Sequence, residues 1–167
     1  MPATELNLRP STDADMAFLQ ELYATTRALE MSQAPWDQTA IDAFLTQQFN
    51  AQHDYYQAHY PDAEYCVIEH GGSPIGRLYV FRGTEQINLM DIALLPHWQR
   101  RGIGTHYLSL LAAEADSTGK AMRLFVEADN PARRLYSRFG FVVTGNNQIY
   151  LQMHRGAQAA RALGVPA

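Results

Sequence analysis

Cysteine and lysine are nearly missing from this sequence. Cys66 is its only cysteine, which excludes an internal disulfide and a cysteine-held metal. Cys66 lies in an apolar stretch, where a thiol is usually inert, so it is not expected to carry an acyl group. Lys120 is the only lysine, and the G-K-[ST] ending of a P-loop occurs nowhere. No apolar run approaches the roughly 18 residues that a membrane-spanning helix needs. The opening MPATELNLRP has neither the basic start nor the apolar middle of a secretory signal. The expectation is a cytoplasmic protein with no membrane partner. Positive charge is not in excess either: the formal net charge is −4, which argues against a nucleic-acid partner. H-E-x-x-H, a carboxylate-rich metal loop and G-x-S-x-G are absent, and His53 and His59 are six residues apart. No metal is expected. A dinucleotide-binding G-x-G-x-x-G fails because Tyr107 follows Gly102 and Gly104.

What remains is an ordinary globular composition. The chain has 167 residues, 47% hydrophobic and 18% charged, enough for one domain with its own core. Its charges are unevenly placed. Between Arg27 and Arg77 there is no lysine or arginine, while Glu30, Asp37, Asp42, Asp54, Asp62, Glu64 and Glu69 all lie there. Arg100, Arg101, Lys120, Arg123, Arg133, Arg134 and Arg138 crowd a later segment. The later half looks built beside an anion, and the earlier beside a cation; solvated faces are the plain alternative for each charge.

Periodicity supplies the elements. Leu6 to Arg9 reads as a first strand, stopped by Pro10, with Ser11, Thr12 and Asp13 as N-cap candidates. Met16, Leu19, Leu22, Tyr23 and Thr26 recur at helical spacing and predict a helix over about 13–28, broken by EMSQAPWD. Ile41, Phe44, Leu45, Phe49 and Tyr56 predict a second, ended by Pro61. EYCVIEH and IGRLYVFR read as a hairpin around GGSP, and INLMDIALL as a third long strand. A helix from Gly102 to Ser117, a strand AMRLFV, a short helix capped at Asn130, and strands FGFVV and QIYLQMH follow. The tail over 156–167 has no partner pattern and is expected to fray. The order β-α-α-β-β-β-α-β-α-β-β implies a mixed α/β sheet flanked by helices, in a single domain over 1–167.

Two segments carry the chemistry. PHWQRRGIGTHYLSLL places two arginines and two glycines before a helix start. There, unpaired N–H groups and the positive dipole end suit an anion, and glycine lets a phosphate approach. Downstream comes VEADNPARRLYSRFGF, Val126 to Phe141. With QRRGIG, Gln99 to Gly104, this resembles the GCN5-related N-acetyltransferase (GNAT) family. That family's first motif is Gln or Arg, two residues, Gly, one residue, then Gly or Ala. Its second is Val, three residues, Asn, then a short helix with Leu-Tyr ending in Gly-Phe. The likeness in element order runs from Leu6 to His154.

The resemblance implies a GNAT-like acyl-CoA N-acyltransferase fold with a mostly antiparallel sheet, and acetyl-CoA as co-substrate. It implies that the amides of Gln99, Arg100, Arg101, Gly102, Ile103, Gly104 and Thr105 cradle the pyrophosphate, with Arg100 or Arg101 screening outer phosphates. Leu94 would pair main-chain groups with the pantetheine arm and Asn130 would help hold it; a plain helix cap is the alternative for Asn130. Tyr136 resembles the phenol that protonates the departing thiolate, against a core aromatic. The expected reaction is transfer of acetyl to a primary amine of a small molecule or protein, by direct attack on the thioester. The alternative is a non-catalytic acyl-CoA-binding regulatory module.

Acyl transfer needs a neutral amine. A lysine-like amine costs about 4–5 kcal/mol to deprotonate at pH 7, and an α-amine near pKa 8 roughly 1.4 kcal/mol. Asp91, on the long strand, and Glu127, at the end of the following strand, are the candidate bases, directly or through water; the family pattern does not choose between them, and solvent-facing strand acids are the plain alternative. The cation-free segment with its aromatics suits a cationic acceptor, and Glu30, Trp36 and Asp37, in the break between helices, are its candidate contacts. Self-association as a homodimer is left open.

Overall fold

The computed structural model describes residues 5–157. Seven strands form one sheet in the order β1-β2-β3-β4-β5-β7-β6. They are β1 (Leu6–Pro10), β2 (Glu64–His70), β3 (Ser73–Arg82), β4 (Gln86–Leu94), β5 (Ala121–Glu127), β6 (Val142–Asn146) and β7 (Tyr150–Arg155). Pairs β1–β2, β5–β7 and β6–β7 are antiparallel, and β4–β5 is parallel. The helices are α1 (Met16–Thr26), α2 (Ala28–Ser32), α3 (Gln38–His59), α4 (Ile103–Thr118) and α5 (Ala132–Arg138). This is the mixed α/β order expected, with one helix more. The chain divides into two compact units, one comprising the residues up to Leu78 with Ile92–Gln99, the other Tyr79–Asp91 with the residues from Arg100 onward.

In the first unit the helix expected over 13–28 is three pieces. Asp13–Asp15 is a 3-10 turn, opened by the Thr12 N–H donating to Asp15 Oδ2 at 2.8 Å. The α-helix then runs only to Thr26. The hydroxyls of Thr25 and Thr26 donate back to the carbonyls of Leu22 and Tyr23 at 2.7 and 2.6 Å, and Arg27 leaves helical geometry at φ −109°, ψ 3°. Such side-chain bonds compete with the helix ladder. Glu30, Met31 and Ser32, read as part of the break, are instead helical in α2. Leu19, Tyr23, Met31, Leu45 and Phe49 pack these helices into one core. The hairpin between β2 and β3 turns on Gly71 and Gly72 alone, both at positive φ; Ser73 and Pro74 are already strand. Cys66, expected inside an apolar strand, is only half-buried on β2.

In the second unit α4 packs on β5. Its Ile103, Tyr107, Leu108, Leu111 and Ala115 are buried, as are Met122, Leu124 and Val126 of the strand. Arg155 closes this unit: it donates to the Phe139 carbonyl at 2.7 Å and pairs with Asp116 at 2.8 Å. Phe139 and Phe141, expected in a strand, lie before β6, because Gly140 at φ 93° ends α5 with Phe141 N–H returned to the Tyr136 carbonyl. Of the tail expected to fray, 158–167 lie outside the described residues.

Candidate functional site

In the first unit, Leu94 ends β4 where β3 comes unusually close. A Cβ on Gly76 would lie 2.4 Å from the Ala93 carbonyl oxygen and 2.7 Å from Leu94 Cδ2, so only glycine fits. Next to it the Leu95 N–H donates to the Ile75 carbonyl at 2.9 Å. The chain turns through Pro96–Trp98, and Gln99 Nε2 then donates back to the Leu94 carbonyl at 3.0 Å. Gln99 therefore ties the strand end to the start of the loop with its side chain. The sequence reading placed Gln99 among the main-chain donors and passed over Gly76, an isolated strand glycine of the sort that marks a close backbone approach.

In the second unit, the loop enters α4 through left-handed geometry. Arg100 is at φ 61° and Gly102 at φ 84°. Left-handed backbone costs a non-glycine residue about 1–2 kcal/mol, and Arg100 carries that strain next to a candidate ligand site. Arg100 makes no ion pair among the described residues, and Arg100, Arg101, Gly102 and Thr105 are exposed. Ile103 is 1% exposed, so its side chain serves the core and only its amide faces the helix end. The His106 N–H donates to the Gly102 carbonyl at 2.9 Å, leaving the amides of the first turn, Ile103 to Thr105, without helical acceptors. A Cβ at Gly102 would meet nothing within 4 Å, and one at Gly104 only Leu135 Cδ2 at 3.9 Å. The space beside this helix start is open to a phosphate, and the glycines there are not needed by the packing.

Tyr136 is buried on α5, its ring 5.9 Å from that of Phe141 in edge contact. Burial, then the carboxylates of Asp91 and of Glu127, hold its phenol well above the ordinary tyrosine value. Its hydroxyl has no hydrogen-bond partner among the described residues. Both candidate bases thus act on it electrostatically, Asp91 the more strongly. The parallel ladder pairs Gln86–Leu89 with Ala121–Leu124; Asp91 and Glu127 lie on the two strands beyond it. Asn130 Oδ1 accepts from the Ala132 N–H at 2.9 Å, the cap expected as the plain reading, and Nδ2 donates to Glu127 Oε2 at 3.1 Å. Asn130 therefore steadies Glu127 and the start of α5 together.

The three acceptor candidates belong to the first unit. Both oxygens of Glu30 accept from Arg27, at 2.7 and 2.9 Å, which holds its carboxyl below the usual range. Arg27 also donates to the Tyr23 hydroxyl at 2.6 Å, and its guanidinium lies 5.6 Å from the Phe44 ring centre. Asp37 Oδ1 accepts from the Ala40 N–H at 2.8 Å and caps α3. Trp36 is 44% exposed and meets Phe44 edge-on at 5.2 Å. The sequence reading missed that Arg27, at the border of the cation-free segment, answers the first acid inside it.

Among the described residues no helix is long and apolar enough to cross a membrane. The sequence model of the acetyltransferase (GNAT) family matches residues 25–141. No curated protein matches the chain. Among solved structures, it is similar to the PaiA N-acetyltransferase of Thermoplasma acidophilum in complex with coenzyme A. That likeness has 15% identity and a TM-score of 0.68 over 90% of this chain and 98% of that one. An acetyltransferase from Thermus thermophilus gives 19% identity and a TM-score of 0.66, over 93% and 99%. A spermidine N-acetyltransferase from Vibrio cholerae, in complex with coenzyme A and spermine, gives 19% and 0.60, over 95% and 99%.

Proposed function

Because the chain belongs to the acetyltransferase (GNAT) family, we propose that it moves an acetyl group from acetyl-CoA to a primary amine of a small molecule or protein. The observation that carries this is the left-handed turn at Arg100 and Gly102, which opens α4 with its first-turn amides unanswered and an unpaired guanidinium beside them. Acetyl-CoA, when bound, supplies the activated thioester and the anionic phosphates that such a helix start receives. The amides of Arg100 to Thr105 hold the pyrophosphate, with Arg100 and Arg101 screening it. Gln99 fixes the Leu94 main chain for the pantetheine arm, and in the second unit Asn130 steadies Glu127.

The residues of the second unit then divide the protons. Asp91 accepts the proton of the attacking amine, directly or through a water; Glu127, held by Asn130, is the other candidate. As the amine nitrogen bonds to the acetyl carbon and the carbon–sulfur bond breaks, the Tyr136 hydroxyl gives its proton to the sulfur. A phenol raised above its ordinary value stays protonated at neutral pH, as a donor must. A main-chain N–H near Leu94 is the candidate donor to the developing oxyanion. On the acceptor side, Trp36 and Asp37 are the proposed contacts, since both Glu30 oxygens already accept from Arg27. A cationic amine fits this pair through ring and carboxylate, and the spermine-bound fold neighbour agrees in class. A cytoplasmic location belongs to this reading.

Release of free thiol from acetyl-CoA over a panel of amines tests the proposal, with calorimetry for acetyl-CoA alongside. Turnover with a cationic amine is expected. Absence of binding at millimolar acetyl-CoA overturns the donor assignment; binding without turnover by any amine favours a regulatory acyl-CoA module.

A further inference from the structure

The turn that carries Gln99 is pinned from a distance. Pro96, His97 and Gln99 are exposed, and Trp98 between them is half-buried. Inside the turn the Trp98 N–H donates to the Leu95 carbonyl at 2.9 Å, and the Gln99 N–H to the Pro96 carbonyl at 3.2 Å. These bonds close the turn on itself and do not set how it lies against the sheet. The Trp98 ring does. Its centre is 4.7 Å from that of His70, with the planes tilted by 42°. His70 ends β2, and β3 stands between β2 and β4. A contact made just past the end of β4 therefore reaches across two strand spacings, about 10 Å.

His70 is itself oriented. Its Nε2 lies 2.7 Å from Glu5 Oε2, an ion-pair distance at an angle short of a hydrogen bond. The main chain fixes Glu5 in turn: its carbonyl accepts from the Gly71 N–H at 3.1 Å, and Leu6 is the ladder partner of His70. An imidazole held at one edge by a carboxylate has a defined plane, and the indole packed on it takes its direction from that plane. A branched aliphatic side chain would fill the same space without setting a direction. The residue after Trp98 is Gln99, whose Nε2 donates to the Leu94 carbonyl at 3.0 Å.

We propose that His70 is a positioning residue of the acetyl-CoA site: it sets Trp98 and, through Trp98, the reach of Gln99 to the Leu94 carbonyl. The inference rests on the proposed role of the Leu94 main chain in holding the pantetheine arm. His70 touches no reacting atom. It acts along Glu5, His70, Trp98, Gln99 and Leu94, all of them in the first unit. Without the ring contact the turn is free to shift, and Gln99 meets Leu94 in only part of the population. Acetyl-CoA is then held less well in the ground state and the transition state alike, which raises KM and spares kcat.

Calorimetry with acetyl-CoA on the full chain, beside steady-state rates over the amine panel, is the test. His70→Ala should raise Kd and KM for acetyl-CoA by up to about fivefold, the worth of the one hydrogen bond it governs, with kcat within about twofold. Gln99→Ala has already lost that bond, so adding His70→Ala to it should leave Kd nearly unchanged, whereas independent losses would multiply. His70→Phe keeps a ring against Trp98 and should recover most of the affinity; His70→Gln keeps a polar group without the ring and should not. Trp36 and Trp98 are the only tryptophans, so in a Trp36→Phe background emission reports Trp98 alone, and His70→Ala should shift it to the red. If circular dichroism shows the His70→Ala chain unfolded, His70→Phe against His70→Gln decides. No binding of acetyl-CoA by the unaltered chain overturns the donor assignment and this role with it. Binding by the unaltered chain, with Kd or Trp98 emission indifferent to His70→Ala or with Kd losses that multiply in the Gln99→Ala background, overturns this role alone.

Discussion

From Asn7 to Glu69 the molecule answers the arginines it has with its own acids; from Arg100 to Arg138 it leaves several arginines open. In the first region Arg9 bridges Asp15 and Glu69, both at 2.7 Å, Arg27 holds Glu30, and Asp37 caps a helix. In the second, Arg100 is held left-handed and unpaired, Arg134 and Arg138 make no ion pair among the described residues, and the Tyr136 hydroxyl has no partner. A charge that closes the fold and a charge that awaits a ligand look alike in a sequence. They differ in whether the folded chain has already supplied the partner. The cation-free segment loses part of its apparent field by this measure. Glu30 is matched by Arg27 at its border and Glu69 by the more distant Arg9, and Asp37 uses one oxygen as a cap.

Removing the open group with the largest role should break the contrast most sharply. Tyr136→Phe is expected to lower kcat by about 10²–10⁴-fold, the range for a positioned acid, and to leave acetyl-CoA affinity nearly unchanged. The Tyr136 hydroxyl bonds to none of the described residues, so the fold should not notice its loss, and Tm should hold within about a degree. Unchanged turnover would return Tyr136 to the core aromatics.

The two glycines of the loop separate backbone from ligand. Gly102→Ala forces a side chain into left-handed backbone at φ 84° and should cost about 1–2 kcal/mol of stability, with weaker acetyl-CoA binding. Gly104→Ala sits in α4, where alanine is favoured over glycine by about 0.5–1 kcal/mol and the new Cβ meets only Leu135. It should raise Tm while weakening acetyl-CoA, because the added carbon occupies the phosphate's approach. Opposite signs in Tm and Kd for Gly104→Ala would tie that position to the ligand; a raised Tm with unaltered Kd would remove it from the cradle. Gln99→Ala, which frees the Leu94 carbonyl, should raise KM for acetyl-CoA about fivefold, the worth of one hydrogen bond near 1 kcal/mol.

The closed region should show itself in acid. Hydrogen bonds from Arg9, and then from the Thr12 backbone, lower the Asp15 carboxyl to about 2. A depressed carboxylate adds stability above its unfolded value, near 4, and that contribution is lost as pH falls through the folded value. Stability should therefore decline between about pH 4 and pH 2, and Asp15→Asn should flatten that decline while lowering Tm at neutral pH. Denaturant unfolding at stepped pH measures both.

The sequence made the second region more legible than the first. Gln99, Gly102, Gly104, Asn130 and Tyr136 stand in local runs whose order alone implies a loop, a helix start and a short helix. The elements formed where expected because glycine, proline and asparagine act on their own neighbours. What escaped was contact made across long sequence separation or by side-chain bonds. Gly76 is needed because Ala93 and Leu94 come close; an isolated strand glycine marks an approach of this kind, but nothing local says which residues make it. The break at Arg27 follows from two threonine hydroxyls returning to carbonyls, in a stretch whose apolar spacing is helical throughout. Arg27 and Glu30 stand three residues apart, but EMSQAPWD reads as a break and not as the helical turn that brings them together.

The smallest effect tests the comparison inside the acidic region itself. Glu30 and Asp37 are both exposed acids, yet Glu30 gives both oxygens to Arg27, while Asp37 Oδ2 has no partner among the described residues. If only open charge reads the acceptor, Asp37→Asn should raise KM for a cationic amine by about two- to fivefold, matching an exposed pair of up to 1 kcal/mol. Asparagine caps a helix as well as aspartate, so Tm should stay within about a degree, whereas Asp37→Ala should lose about 1 kcal/mol of stability with the cap. Glu30→Gln should change KM less than about twofold, since the charge it removes was already met. Added salt should shrink the Asp37 effect, because exposed charges are screened over about 8–10 Å near physiological ionic strength. Equal shifts from Asp37→Asn and Glu30→Gln would mean that net charge, not unanswered charge, steers the amine. No shift from either, with neutral amines turning over as well, would leave Asp37 as a helix cap and move the acceptor's recognition to other residues.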